Sequence, residues 1–229
     1  MSKLSTKKIV RRSLKFIIIN CILYVLACFV LIYWPVPSKK DIENYDYSSI
    51  RTSSKYHSTG ENEWIQTRSK EKLFCRVFPS ESKTVLILIH GSGSEGRYLS
   101  NLAQSLAENN TATVITPDLR GHGESAFKKG DISYIGQLEN DIEDIIDYTK
   151  NQLSAKKIIL AGHSSGGGLV LRYLGNQKLT KIDKAIMISP YLGHTSPTVK
   201  SNSGGWVTVA VKRWIGLSML NHLGVTYFN

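Results

Sequence analysis

A chain of 229 residues, 41% hydrophobic and 21% charged, has room for one domain of ordinary size and an appendage. That balance excludes a disordered tail and a multispan membrane protein. Three cysteines exclude a disulfide-built scaffold: Cys21 and Cys28 fall in an apolar run near the N-terminus, which leaves Cys75 alone in the remainder. The net charge of +11 suggests a nucleic-acid binder until its distribution is read. Lys3, Lys7, Lys8, Arg11, Arg12 and Lys15 all precede the apolar run, and the first acidic residue is Asp41. The remaining excess is scattered, with no basic stripe interleaved with aromatics, so nucleic-acid binding is not expected.

From Phe16 to Trp34 the chain reads FIIINCILYVLACFVLIYW, with Asn20 its one clearly polar residue. At about 1.5 Å per residue this stretch covers a hydrocarbon core of about 30 Å. Tyr33 and Trp34 suit an interface, and Pro35 and Pro37 end the helix. A basic flank held in the cytoplasm places everything after Ser38 on the other side of the membrane, as a single-pass protein. The alternatives are a cleaved signal peptide and lipid attachment at Cys28. The run is longer than a signal's apolar region, no small-x-small site follows it, and it continues past Cys28 through Phe29-Val30-Leu31-Ile32. An uncleaved signal anchor is expected.

Residues from Ser38 to about Gly60 are polar, without a sustained period, and read as a linker. Strands are then predicted at Lys72–Phe78, Thr84–Ile89, Thr111–Thr116, Lys157–Ala161 and Lys184–Ser189. Helical spacing joins Tyr98, Leu99, Leu102, Ala103 and Leu106; Ile135, Leu138, Ile142, Ile145 and Ile146; and Leu169, Val170, Tyr173 and Leu174. This alternation predicts an α/β fold, a doubly wound and mostly parallel sheet with helices on both faces. Function in such a sheet gathers at the carboxyl ends of the strands.

Two motifs fall there. The strand ending near Ala161 runs into Gly162-His163-Ser164-Ser165-Gly166, a G-x-S-x-G pattern followed by an apolar helix. A tight strand-to-helix turn strains its central residue and needs small neighbours, so Ser164 is the candidate nucleophile. The strand ending at Ile89 runs into His90-Gly91-Ser92-Gly93-Ser94. A nucleophilic serine needs N–H donors aimed at the developing oxyanion, and Ser92 and Ser165 are the candidates. Both loops could also be plain Gly-rich turns.

HGSGSEGRYLSNLAQSLAENN, PDLRGHGESA and LAGHSSGGGLVLRYLG, in this order, resemble the α/β-hydrolases, and more narrowly the monoacylglycerol lipase and lysophospholipase-like group of serine aminopeptidase-type hydrolases. The resemblance covers about Lys72 to Gly193. It implies Ser164 as nucleophile and Ser92 and Ser165 as the oxyanion hole. His90 and Gly91 are expected to line the substrate. Asp118, Arg120, His122 and Gly123 match the family's D-x-R-G-H-G-x-S loop, which is mainly structural, and His163 is expected to pack in the elbow.

The triad order in this fold is Ser, then acid, then His. After Ser164 come one acidic residue, Asp183, and two histidines, His194 and His222. Asp183 precedes its strand and so belongs to the opposite edge of the sheet. The acid and base loops and the last strands of the sheet are therefore expected to be missing, the chain ending inside a cap. Trp206, Val207, Ala210, Trp214 and Leu217 share a helical face suited to that cap or to ordinary core packing. The expected layout is a cytoplasmic flank (1–15), a transmembrane anchor (16–34), a linker (35–62), a hydrolase core (63–193) and the start of a cap (194–229). The expected function is a membrane-anchored serine hydrolase of lysophospholipid-like or monoacylglycerol-like esters, without metal or other cofactor. The alternative is an inactive fragment acting as a binding or scaffold domain.

Overall fold

The computed structural model describes residues 3–36, 60–125, 128–193, 196–198 and 210–228. Most of the linker read from the sequence, together with His194, Trp206 and Val207, lies outside the described residues. Contacts divide the chain into two compact units, residues 45–199 and residues 1–44 with 200–229.

The elements in chain order are α1 (Lys3–Ile32), β1 (Glu61–Gln66), β2 (Lys72–Phe78), β3 (Thr84–Ile89), a 3-10 turn (Gly96–Leu99), α2 (Ser100–Glu108), β4 (Thr113–Pro117), α3 (Gln137–Gln152), β5 (Lys157–His163), α4 (Ser165–Gly175), β6 (Lys184–Ile188) and α5 (Val211–His222). The larger unit is a six-stranded sheet in the order β1-β2-β4-β3-β5-β6. β3 pairs in parallel with β4 and β5, and β5 with β6. Strands covered on both faces read as continuous apolar runs, and TVLILI shows why. Val85, Ile87 and Ile89 enter a core with Ile142, Ile145 and Ile146 of α3 and Val170 of α4, while Leu86 and Leu88 meet Ala103 and Ala107 of α2 on the other face.

Several expectations need correction. The sheet is mixed, since β2 runs antiparallel to both β1 and β4. β1 opens at Glu61, inside the stretch read as linker. ENEWIQ lies at the sheet edge and buries just Ile65, so it lacks a strand's apolar run. Ile135 falls in phase with α3 but precedes it and is 89% exposed, because Gly136 breaks the phase with φ 100°. The C-terminal helix begins at Val211, and Trp214 points outward while Gly216 and Leu220 are buried. β6, paired on one side among the described residues, exposes Ile186, Met187 and Ile188.

In the smaller unit, α1 is long and apolar enough to cross a membrane by length and composition. Asn20, its polar residue, donates from Nδ2 to Phe16 O at 2.8 Å, so the amide nitrogen is satisfied within the helix.

The loop after β4 ties the parallel strands to their neighbours through buried charge. Asp118 accepts from Arg76 Nη1 (2.8 Å) and Gly96 N (2.7 Å) on Oδ1, and from Glu124 N (2.9 Å) on Oδ2. Gly123 sits against this carboxylate at φ 51°, where a Cβ would come within 2.1 Å of Oδ2. Arg120 forms a two-pronged pair with Asp141 (3.0 and 2.8 Å) and also reaches Glu71. Ser125 Oγ donates to Asp118 O (2.7 Å) and accepts from Phe74 N (2.9 Å). The D-x-R-G-H-G-x-S loop is thus a clasp joining β2, the 3-10 turn, β4 and α3. Removing one partner of a buried pair leaves an uncompensated charge. Asp118→Asn is expected to lower stability by about 3–5 kcal/mol, read from urea unfolding of the full chain in detergent. A change within experimental scatter would mean that the clasp does not hold the loop.

Candidate active site

Ser164 occupies the single residue between β5 and α4, with φ 54° and ψ −120°. A non-glycine residue there costs on the order of 1–3 kcal/mol and persists when its surroundings over-determine it. They do. Ser164 N donates to Ile188 O (3.0 Å), and Ser164 O accepts from Tyr191 N (2.9 Å) and Gly168 N (3.2 Å). A Cβ on Gly162 would lie 2.3 Å from the Gly166 backbone, and one on Gly166 would lie 2.6 Å from both Ile89 O and His90 O. The motif's glycines are therefore required by backbone-to-backbone contact. Gly91 lies alongside, where a Cβ would meet Ser164 Cβ at 3.3 Å.

The loop after β3 brings Ser92 to the elbow. Ser92 N donates to Ser165 Oγ at 2.5 Å, so the loop N–H faces the residue that follows Ser164. Ser165 N opens α4, where first-turn N–H groups lack an intrahelical partner and the helix dipole favours negative charge. Ser92, Ser164 and Ser165 thus converge, and the Ser165 hydroxyl takes the loop N–H.

His90 and Gly91, expected to line the substrate, also hold the loop after β3 in place. His90 is fully buried. Its Nε2 accepts from Leu119 N (3.0 Å), so Nδ1 carries the proton and donates to Gly91 O (2.7 Å). Burial pushes its pKa down to about 4. Gly91 N donates to Tyr98 Oη (3.0 Å), which also shares a hydrogen bond with His163 Nδ1 (2.8 Å). Sequence periodicity reads Tyr98 as a helix position, and nothing in the sequence marks it as the bridge between the two loops.

His90 has both ring nitrogens bonded, to Leu119 N and Gly91 O, while His163 meets Tyr98 and His122 meets Arg120 O (3.0 Å), each through Nδ1. Among the described residues no imidazole bonds the Ser164 hydroxyl. Asp183 accepts from Ile158 N (2.7 Å) at the start of β5, the edge away from Ser164, and so serves the strand. His222, in the smaller unit, turns Nδ1 to Ser218 O.

A parallel-centred sheet with this strained serine between strand and helix defines an α/β-hydrolase. The chain belongs to the serine aminopeptidase S33 family, whose model matches residues 80–225. It is 36% identical to protein phosphatase methylesterase 1 of Debaryomyces hansenii over 42% of this chain and 26% of that protein. With an uncharacterized protein of Mycobacterium tuberculosis it shares 31% identity over 47% of this chain and 29% of that one. Among solved structures it resembles a soluble variant of monoglyceride lipase from Saccharomyces cerevisiae, with TM-score 0.50 and 26% identity over 57% of this chain and 45% of that one. The matched stretch is thus under a third of these two curated relatives' length.

Two predictions follow from the packing. Gly166→Ala forces a methyl into fixed carbonyls and is expected to cost at least about 1–3 kcal/mol, checked by thermal unfolding. An unchanged midpoint would contradict the described contact. His90 stays neutral in the fold down to about pH 4, while in the unfolded chain it takes a proton near its ordinary value of 6.5. Its contribution is therefore full above pH 6.5 and lost as pH falls toward 4, on the order of 3 kcal/mol. Urea unfolding of wild type and His90→Gln across this range should show their gap narrowing as pH falls. A constant gap would mean that His90 does not titrate this way.

Proposed function

We propose that this chain is a membrane-anchored serine hydrolase of carboxylic esters with Ser164 as nucleophile. The observation that carries the reading is the forced turn at Ser164, set beside the Ser92 and Ser165 N–H groups. Ser164 Oγ attacks the carbonyl carbon and gives its proton to a base. The carbonyl oxygen becomes an oxyanion held by Ser92 N–H and Ser165 N–H, after the Ser165 hydroxyl has turned aside. Collapse of the intermediate expels the alcohol with a proton, and water then releases the acid from the acyl-enzyme. Among the described residues of the hydrolase unit no imidazole bonds Ser164, so we take the base from His194 or from an imidazole outside this chain.

The substrate class we favour is a lysophospholipid or monoacylglycerol. It is supported by the apolar helix α1, which would hold the hydrolase unit near lipid, and by ester-cleaving relatives that include methylesterases and a monoglyceride lipase. The basic residues before the span favour a cytoplasmic N-terminus, with the hydrolase unit on the far side.

A second reading, an inert hydrolase fold used for binding, draws on the occupied histidines. Fluorophosphonate labelling of the full chain in membranes separates the two. Wild type should label, Ser164→Ala should not, and Ser165→Ala should still label because its backbone N–H remains. Absence of label from material shown to be folded would overturn the catalytic reading.

A further inference from the structure

Helix α5 packs along the C-terminal part of α1. Cys28, Ile32 and Leu220 bury one another, with Leu217, Met219 and Phe228 around them. The two backbones approach closely at Gly216, where a Cβ would lie 2.7 Å from Cys28 O and 2.9 Å from Ile32 Cγ1. The contact runs from Trp34, whose ring lies 3.5 Å below Lys212 Nζ, back to Tyr24, whose hydroxyl donates to Met219 O (3.3 Å). From Trp34 to Tyr24 is about 15 Å of helical rise, half of a hydrocarbon core of about 30 Å.

The end of α5 is closed by a left-handed glycine turn of the kind many helices use. Here Met219 O takes the Tyr24 hydroxyl, Leu220 O takes Leu223 N (2.9 Å) and Val225 N (3.1 Å), and Asn221 O takes Gly224 N (2.9 Å). Gly224, at φ 79°, turns the chain back so that Phe228 meets Phe29 edge-on, centroids 5.4 Å apart. This closure suits a hydrocarbon environment, where backbone polar groups need internal partners, as it also suits water. The surface that α5 leaves open carries Val211, Trp214 (69% exposed), Ile215 and Leu223, with Lys212 against Trp34 at the interfacial end and Asn221 and His222 exposed at the other.

We propose that α5 is a re-entrant membrane helix, docked on α1 through Gly216 and facing the acyl chains of the leaflet where α1 ends. The inference rests on the reading of α1 as a membrane span and is independent of catalysis at Ser164. Its occupant is the phospholipid bilayer, because the helix it packs on is apolar on its own open face and because Lys212 lies against Trp34, at the level of the headgroups.

The test uses the full chain with Trp34, Trp64 and Trp206 changed to Phe, so that Trp214 reports alone. It is reconstituted in phosphatidylcholine–phosphatidylglycerol vesicles whose acyl chains carry bromine. The proposal expects the chain to float with the vesicles, with Trp214 quenched at least twofold by bromolipid and shielded from aqueous acrylamide. Gly216→Leu, which drives a side chain into the α1 backbone, should at least halve that quenching. Access of acrylamide to Trp214 overturns the proposal, as does shielding from both quenchers, which would mean a protein surface covers it. Quenching unchanged by Gly216→Leu overturns the docking on α1. A chain that does not float removes the span reading and this inference with it, whereas the fluorophosphonate result bears on Ser164 alone.

Discussion

The site depends on one backbone constraint, the positive φ of Ser164. Left to itself the residue would relax to an ordinary extended or helical conformation and turn its hydroxyl back toward the sheet. It is kept from doing so by hydrogen bonds to β6 and the segment after it, and by glycine backbones packed too closely to admit a methyl group. The strain is thus offset by the sheet itself. The parallel strands β3, β5 and β6 hold both sides of this turn.

Around the turn, charge and polarity are arranged for rigidity. The clasp of Asp118 with Arg76, and of Arg120 with Asp141, fixes the loops beside the elbow from below, at sites almost closed to water. Neutral His90 then links the end of β3 to the start of this clasp through Leu119 N. Tyr98 completes the frame by joining Gly91 to His163. His90, a histidine of the expected substrate loop, is in the fold a fastener. Ser92 is left with its N–H directed at the Ser165 hydroxyl, beside the Ser164 turn.

Much of this was legible in the sequence wherever a local pattern carries the physics. TVLILI and KIILAG announce buried strands because both their faces are covered. G-x-S-x-G announces the turn because backbone contact admits no side chain at its glycines. What stayed hidden was set by partners distant in the chain. Arg76 and Asp118 are 42 residues apart, and His90 and Leu119 are 29 apart, so neither pairing leaves a trace in spacing. β1 was missed because an edge strand needs few apolar residues. Ile135 misled because its phase fits α3 until Gly136 breaks it. Trp214 looked like a core position because helical spacing groups it with Leu217, whereas the face that buries is centred on Gly216 and Leu220.

The central claim, that Ser164 is held ready beside two N–H donors, is most directly tested by a crystal structure of the chain after reaction with an alkyl phosphonate. The account requires phosphorus on Ser164 Oγ and one phosphoryl oxygen accepting from both Ser92 N and Ser165 N, with Ser165 Oγ displaced. An adduct whose oxygen turns away, leaving Ser92 N on Ser165 Oγ, would contradict it, and so would phosphorus on any other residue.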